Sequence, residues 1–219
     1  MENIVIAIDG PAGSGKGTVT EIIAKKLNLL CIDTGATYRA IALNTLRHNI
    51  DLNDTDKIIE LTKKTKIEMD EEKNVYLNGE DVTKEIRSKE VSDVVSPLSN
   101  IKEVREILVN LQREIAKGKN VILEGRDTTT VIFPNAKYKF YLDATLEERV
   151  KRRYLQNKEL GIDTTLEEVE ENIKKRDYND IHKEVGALKR TDDQIYIDTT
   201  NMSIDEVVDK IISYIEKDW

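Results

Sequence analysis

A glycine-rich segment near the start of the chain has the residue types and spacing needed to hold phosphate groups. It reads GPAGSGKGT and lies between a short apolar run and an amphipathic stretch. Glycines permit positive φ, so successive backbone N–H groups can point at oxygen atoms, and a following helix adds its positive end. With the charge of its lysine, this segment predicts a binding site for a triphosphate tail. The predicted loop comprises Gly10, Pro11, Ala12, Gly13, Ser14, Gly15, Lys16, Gly17 and Thr18.

The loop departs from the strict phosphate-loop pattern directly after its lysine. That pattern has serine or threonine there to ligate magnesium, whereas this chain has Gly17, with Thr18 one position later. The sequence GKGT resembles the variant used by nucleoside monophosphate kinases. The resemblance implies ATP as the phosphoryl donor and Mg²⁺ bound with it mainly through water, so we expect no direct protein ligand for the metal. It also implies that Glu124 orients those waters, although aspartate is more usual at this position.

Short apolar runs rich in β-branched residues alternate with longer helical patterns. Such runs are typical of buried parallel strands. They occupy residues 4–8, 29–32, 121–123, 139–142 and 195–197. The alternation predicts an α/β fold of three layers, and the five runs predict a five-stranded parallel sheet. The resemblance to nucleoside monophosphate kinases implies that this is the P-loop kinase fold.

Three helix starts are indicated by capping-box spacing, in which a hydroxyl residue is followed three positions later by a carboxylate. The hydroxyl residues are Thr145, Thr165 and Ser203. Helices are therefore predicted to begin near Leu146, Leu166 and Ile204. The irregular stretch between the first two of these helices, residues 157–164, would let them move as a lid.

Residues 67–86 interrupt the parallel pattern with short strand-like pieces. The pair Asn78-Gly79 within them is a strong hairpin signal. We predict a small antiparallel insertion between the second and third parallel strands, where it can overhang the carboxyl edge at which such sheets bind ligands.

Further motifs resemble bacterial cytidylate kinases over essentially the whole chain. They are DTGATYR at 33–39, SP at 96–97, VRE at 104–106, GRDTTTVIFP at 125–134, RDYND at 176–180 and IDTTNMSIDEV at 197–207. The hairpin insertion is also expected of that family. The resemblance implies transfer of the γ-phosphoryl group of ATP to CMP or dCMP, giving ADP and CDP or dCDP, in pyrimidine nucleotide metabolism.

The resemblance also assigns roles in acceptor binding, position by position. The predicted set is Arg39 and Arg126 for the acceptor phosphate, Ser96, Arg105 and Asp127 for the cytosine edge, Asp180 for the ribose, and Thr34, Arg176 and Lys183 at the same site. A carboxylate can accept from the exocyclic amine of cytosine, which uracil lacks, and an arginine can donate to the ring carbonyl. Taken alone, Arg39 and Arg105 also fit surface helix charges, Asp127 fits a cap, and Ser96 fits a helix end.

The expected chemistry needs no general base, because the attacking oxygen belongs to the acceptor phosphate, which is mostly ionised at neutral pH. Catalysis then consists of positioning and of neutralising negative charge. The predicted catalytic residues are Lys16, Arg126, Arg152, Arg153 and Arg176. The last three would close over the phosphates; their alternative role is ion pairing with neighbours such as Glu148 and Asp177.

Three positions depart from the family pattern. Thr129 stands where glycine is usual, Lys183 where an arginine is expected, and Gly186 begins a Gly-Ala-Leu run in place of Ala-Pro-Leu. A lysine keeps the charge but loses the bidentate fork of arginine, so we predict weaker acceptor binding at Lys183.

The resemblance divides the 219 residues of this single domain into three parts. The core comprises about residues 1–35, 118–150 and 190–219, the acceptor-binding region with the insertion about 36–117, and the lid about 151–189.

Composition limits the partners and the compartment. A formal net charge of −8 argues against broad binding to nucleic acid. One cysteine, Cys31, excludes an intramolecular disulfide, and two histidines cannot supply a conventional zinc set. No signal peptide or membrane helix is expected. We therefore predict a cytoplasmic protein that binds small nucleotides, no nucleic acid and no membrane, most simply as a monomer.

Two other functions share the phosphate loop. A GTP-binding switch is disfavoured because the only Asn-Lys pair, Asn157-Lys158, lacks the aspartate that would read guanine. A non-catalytic nucleotide sensor would leave Arg39 and Arg126 without an evident task. Within the kinase class, UMP, AMP or dTMP stays open as the acceptor.

Overall fold

The computed structural model describes residues 3–70, 72–159 and 161–215, and a five-stranded sheet lies at its centre. The strands are β1 (Val5–Asp9), β2 (Leu30–Asp33), β3 (Ile67–Met69), β4 (Val75–Leu77), β5 (Glu80–Asp81), β6 (Val121–Gly125), β7 (Tyr138–Asp143) and β8 (Ile195–Asp198). The central sheet has the order β2-β6-β1-β7-β8, with every neighbouring pair parallel. The predicted five-stranded parallel sheet is therefore confirmed.

Eight α-helices surround the sheets in the part of the chain that the structure describes. They are α1 (Lys16–Leu27), α2 (Thr34–Arg47), α3 (Thr55–Lys64), α4 (Lys89–Ser99), α5 (Lys102–Ala116), α6 (Leu146–Glu159), α7 (Leu166–His182) and α8 (Ile204–Ile215). A 3₁₀ turn spans Glu85–Arg87 and a π-helical turn spans Thr128–Ile132. Within the same residues, no helix is both long and apolar enough to cross a membrane.

The alternation of side chains along β1 explains the three layers. Ile6 and Ile8 pack on one face with Val19 of α1 and Ile211 of α8, whereas Ala7 belongs to a cluster on the other face that includes part of α5. Successive strand residues point to opposite faces, so a strand that is apolar throughout must be covered on both. The carboxyl ends of β1, β2 and β6 consequently meet at one edge of the sheet.

The predicted insertion is confirmed as an antiparallel sheet of order β3-β4-β5. Asn78 and Gly79 have φ of 52° and 88°, the left-handed values that a tight hairpin turn requires. Arg47, at the end of α2, donates to Glu80 in two bonds of 2.8 and 2.9 Å and to Glu85 at 2.6 Å. These bonds from Arg47 to two carboxylates hold the antiparallel insertion against α2, the helix that carries Arg39.

All three predicted helix starts are confirmed, at Leu146, Leu166 and Ile204. The boxes at Thr165 and Ser203 are reciprocal. A capping box also implies that the carboxylate accepts from the amide of the hydroxyl residue, and at Thr145 this expectation is wrong. Thr145 accepts from the amide of Glu148, but the Glu148 carboxylate accepts from Arg152 at 2.9 Å instead. A charged partner on the same helix face outcompetes the backbone amide.

Helices α6 and α7 form a hairpin with its own small apolar cluster of Val150, Val169 and Ile173. The irregular stretch predicted from residue 157 begins later, because α6 continues to Glu159. Leu160, and residues 1–2 and 216–219 at the ends of the predicted core, lie outside the described residues. That this hairpin moves as a lid, and the predicted boundaries of core, acceptor region and lid, stay predictions.

Candidate active site

The phosphate loop joins β1 to α1 at the carboxyl edge of the sheet. Gly13 and Gly15 have φ of 79° and 89°, which only glycine adopts without strain. A Cβ at Gly10 would lie 2.0 Å from the Leu142 carbonyl oxygen, so the loop also packs directly on the backbone of β7. Helix α1 begins at Lys16, and the Lys16 Nζ donates to the Pro11 carbonyl at 2.7 Å.

Buried charges of both signs surround Lys16. Burial lowers the pKa of Lys16 below its usual range, and the like charges of Arg126 and Arg176 act in the same direction, while Glu124 opposes them. The pKa of Glu124 is raised, first by burial and then by Asp33. A phosphate brought to this place would meet a positive field from three cations, because Lys16, Arg126 and Arg176 are all within electrostatic reach of one another.

Arg126 reaches the α6–α7 hairpin through a buried ion-pair chain. Its Nε donates to Asp180 on α7 at 2.6 Å, and the other carboxylate oxygen of Asp180 lies 3.0 Å from the Lys183 Nζ. Burial would raise the pKa of Asp180, but Arg126 and Lys183 outweigh it and hold the pKa at about 2. The unusual lysine at 183 is therefore in the site, next to the residue predicted to bind the ribose.

Three predicted arginines, on α2, α7 and α6, face the same centre. Arg39 on α2 donates to Asp33 at 2.6 Å, and its buried Nε has no hydrogen-bond partner among the described residues. The like charge of Arg126, followed by desolvation, lowers the pKa of Arg176 to about 10. Burial and then Arg39 lower the pKa of Arg153. These mutual repulsions indicate cations held close together without enough carboxylates to neutralise them.

Arg105 and Asp127 form a closed ion pair at the acceptor end of the site. The Arg105 Nη2 donates to the Asp127 carboxylate, and their side chains are only 4% and 6% exposed. Burial raises the pKa of Asp127 in spite of the arginine. The Arg105 guanidinium also lies 5.5 Å from the centre of the Tyr38 ring. Its Nε is buried without a partner in the described part of the chain, so the pair retains an unused donor.

Two predicted acceptor residues are less directly placed. Ser96 lies on α4, half-buried, and Arg105 reaches the carbonyl of Ser99 at 3.4 Å rather than the Ser96 hydroxyl. Thr34 is buried at the start of α2, and its hydroxyl donates to the Glu124 carbonyl at 2.9 Å. Thr34 thus ties the start of α2 to β6.

The three arginines of α6 make different contacts, which could not be read from their positions in the sequence. Arg149 is buried under the phosphate loop and donates to the Ala12 carbonyl at 3.0 Å and to Asp177 at 2.5 Å. Arg152 donates to the hydroxyl and carbonyl of Thr199, just after β8, at 3.0 and 2.6 Å. Arg153 lies on the side of Arg39; the residue as a whole is exposed, although its guanidinium is partly desolvated. The ion pairing considered for this helix is therefore present, but Asp177 pairs with Arg149.

A buried carboxylate that sequence reasoning missed links the two loops of the site. Asp9, fully buried at the end of β1, accepts from the amide and hydroxyl of both Thr128 and Thr129, at 2.5 to 2.9 Å. Thr129 also accepts from Gln194. The threonine that stands where the family has glycine is therefore part of a network that holds the turn carrying Arg126. In the sequence, the one sign of this network is that Asp9 is a polar residue at the end of an otherwise apolar strand.

The carboxylate of Glu124 is placed to take part in holding Mg²⁺ beside the phosphate loop. The ideal Cβ position at Gly17 is 3.5 Å from Glu124 Oε1, so this carboxylate lies at the first turn of α1, beside the phosphate loop. No cluster of three or more metal-ligating side chains occurs in the described ranges. Mg²⁺ is commonly held by one or two carboxylates together with substrate phosphates and water, and a single carboxylate at this place fits that manner of binding.

Comparison with known proteins places the chain in a family. The family profile described as "Cytidylate kinase" matches residues 6–217. A cytidylate kinase of Caldanaerobacter subterraneus subsp. tengcongensis is 50% identical over 98% of this chain and 95% of its own length. A cytidylate kinase of Fusobacterium nucleatum is 48% identical over 99% of both.

A solved shikimate kinase of Bacteroides thetaiotaomicron has a TM-score of 0.50 at 14% identity and covers 97% of this chain and 98% of its own. At that identity it bears on the fold alone, and it confirms the predicted P-loop kinase architecture. Since the profile spans nearly the whole chain and full-length relatives share about half of its residues, the chain belongs to the cytidylate kinase family.

Proposed function

We propose that the described site transfers the γ-phosphoryl group of ATP to CMP or dCMP, with the roles set out below. The main support for this proposal is the turn after β6, which supplies two consecutive residues with different partners. Arg126 is in electrostatic contact with Lys16 of the phosphate loop, while Asp127 is paired with Arg105 in a buried pocket. One turn therefore links a phosphate centre to a base-reading pair.

In this proposal the acceptor phosphate attacks the γ-phosphorus of ATP directly. Its second pKa near 6 leaves it mostly dianionic at neutral pH, so no side chain has to remove a proton. The loop amides and Lys16 hold the donor phosphates, and Arg39 and Arg126 hold the acceptor phosphate. Arg153 and Arg176 approach from the α6–α7 hairpin and neutralise the charge that spreads over the transferred group.

Arg152 occupies a different part of the proposed site. It contacts Thr199 and lies 3.9 Å from an ideal Cβ at Gly15, on the donor side of the loop. We assign it to the ATP side of the transfer, whereas Arg153 faces the acceptor side. Mg²⁺, when bound with ATP, would neutralise charge on the donor phosphates, and Glu124 would hold its waters.

Base selection is assigned to the buried pair. The Asp127 carboxylate can accept from the cytosine amine and the spare Arg105 donor can reach the ring carbonyl. Uracil presents a carbonyl where cytosine presents the amine, which would leave Asp127 desolvated and facing an acceptor. A site built in this way rejects the wrong base efficiently, because its polar groups lose their partners.

We further propose a cytoplasmic monomer with the α6–α7 hairpin acting as a lid. None of the roles assigned above requires a residue from a second copy, which supports the monomer. The compartment is supported by cysteine usage, because the lone Cys31 is buried and not part of a disulfide. Gel filtration at micromolar concentration tests whether the protein is a monomer.

The testing experiment measures steady-state ADP production with MgATP and each of CMP, dCMP, UMP, AMP and dTMP. It is run for the native chain, for Asp127→Ala and for Asp163→Ala, an exposed aspartate of the lid region that serves as the matched control. We expect strong preference for CMP and dCMP, reduced in Asp127→Ala alone. Equal use of another monophosphate would overturn the acceptor assignment. ATP turnover that does not depend on any acceptor would overturn the assignment as a monophosphate kinase.

A further inference from the structure

One buried tyrosine beside the Arg105–Asp127 pair has a hydroxyl that the fold itself does not use. Tyr38, on α2, is 7% exposed, and its hydroxyl has no hydrogen-bond partner among the described residues. Burying a hydroxyl without a partner is unfavourable, and the large majority of buried polar atoms in native proteins are paired. The exception at Tyr38 therefore points to a partner that does not belong to the chain.

The surroundings of Tyr38 place it at the base end of the acceptor site. The Arg105 guanidinium lies 5.5 Å from the centre of the Tyr38 ring. Burial raises the pKa of Tyr38, while the charges of Arg105 and Asp127 act on this pKa in opposite directions, so both charges lie within electrostatic reach of the hydroxyl. The raised pKa keeps the hydroxyl protonated at neutral pH, and it can therefore both donate and accept a hydrogen bond.

Helix α2 supplies the acceptor site in the same way as the turn after β6. In that turn, Arg126 is assigned to the acceptor phosphate and the next residue, Asp127, to the base. On α2, Arg39 is assigned to the phosphate, and the residue before it, Tyr38, lies against Arg105. Each of the two elements thus carries one residue for the phosphate and a neighbour at the base end.

We propose that the Tyr38 hydroxyl forms a hydrogen bond with the pyrimidine ring of the acceptor and adds affinity without selecting cytosine over uracil. The proposal rests on the base-reading role assigned to Arg105 and Asp127. Both bases carry a ring carbonyl that accepts from a hydroxyl, and a hydroxyl that rotates also adapts to the ring nitrogen, which accepts in cytosine and donates in uracil. The Asp127 carboxylate cannot adapt in this way, because it only accepts. Affinity and selectivity are therefore assigned to different side chains.

The experiment compares Tyr38→Phe with Tyr138→Phe. Phenylalanine keeps the ring that lies against Arg105 and removes only the hydroxyl. Tyr138 is 5% exposed and donates to the Ile215 carbonyl at 3.3 Å, at the start of β7 and so at the sheet edge opposite the site. The two variants delete the same atom from two buried tyrosines, only one of which has a partner for it among the described residues. Steady-state kinetics with CMP and UMP and the Tm are measured for both variants and the native chain.

In Tyr38→Phe we expect kcat/KM for CMP to fall about fivefold, the contribution of one neutral hydrogen bond, through a higher KM for CMP. The value for UMP should fall by a similar factor, so that the CMP to UMP ratio stays within about twofold of the native ratio. The KM for ATP should keep its native value, and the Tm should not fall, because the free protein loses no hydrogen bond within the chain. Tyr138→Phe should show the reverse, with a Tm lower by about 2–4 °C and native kinetics.

Native kcat/KM for CMP in Tyr38→Phe would overturn the proposal. A fall in kcat/KM joined to a loss of Tm as large as that of Tyr138→Phe would also overturn it, because the hydroxyl would then be a structural group. Asp127→Ala tests the base-reading role separately. If Asp127→Ala keeps the native CMP to UMP ratio, that role itself fails; if it loses the ratio while Tyr38→Phe keeps native kcat/KM, only the role of Tyr38 is overturned.

Discussion

Replacing Thr129 by valine should destabilise the protein much more than the same replacement of a surface threonine. Valine keeps the shape of threonine but removes a hydroxyl that donates to the fully buried Asp9 and accepts from Gln194. A hydrogen bond to a charged group contributes about 1.5–3 kcal/mol and a neutral one about 1 kcal/mol, so we expect a loss of about 3 kcal/mol. For a chain of this length that corresponds to a fall in Tm of roughly 6–12 °C.

Thermal unfolding followed by circular dichroism measures the effect. The control is Thr191→Val, which removes a hydroxyl that donates to an exposed aspartate, Asp193, at 2.6 Å. An exposed bond of this kind exchanges readily with water, and its loss should lower the Tm by less than about 2 °C. If Thr129→Val shifts the Tm no more than Thr191→Val does, the buried network around Asp9 does not stabilise the turn as described.

Three further predictions concern charge, acceptor binding and the loop. The pKa of Asp180 is about 2, below its ordinary value of 3.8, so its ion pairs stabilise the fold above pH 4 and that stabilisation is lost as the pH falls from about 4 to about 2. Asp180→Asn should therefore flatten the dependence of the urea midpoint on pH in that window; an unaltered slope would refute the pairing. Lys183→Arg should lower the KM for CMP, because the fork of arginine adds a second bond, and an unchanged KM would count against a role at 183. Gly13→Ala places a Cβ 3.0 Å from the Arg149 carbonyl oxygen and should raise the KM for ATP by about tenfold or more, whereas Gly118→Ala, with φ of 73° and open space among the described residues, should leave it unaltered.

The features that could be predicted from sequence are those that depend on neighbouring residues. The parallel strands, the helix starts and the hairpin turn are each signalled within a few positions, by apolar runs, by hydroxyl–carboxylate spacing and by Asn78-Gly79. The family motifs likewise brought together residues that the structure places around Lys16, although Ser96 lies apart from the Arg105–Asp127 hydrogen bonds.

The features that could not be predicted depend on contacts between distant parts of the chain. Arg149 and Arg152 are three positions apart on α6, and only the packed structure shows that the first supports the loop at Ala12 while the second reaches Thr199. Asp9 finds its donors more than a hundred positions away, at Thr128 and Thr129. No local pattern encodes which of several possible partners a buried charge will meet.

The position of β1 in the sheet has a consequence for synthesis of the chain. Val5 pairs with Val121 and Ile6 with Tyr138, so the central strand has no sheet neighbour until more than half of the chain has been made. At about 5–20 residues per second, an apolar strand with two open edges then waits on the order of ten seconds on the ribosome. The buried cluster formed by residues 36–108 draws its described members from one continuous stretch and can condense first. We expect nascent chains to need protection chiefly at β1. We also expect residues 36–108 to become resistant to proteolysis before the nucleotide site exists.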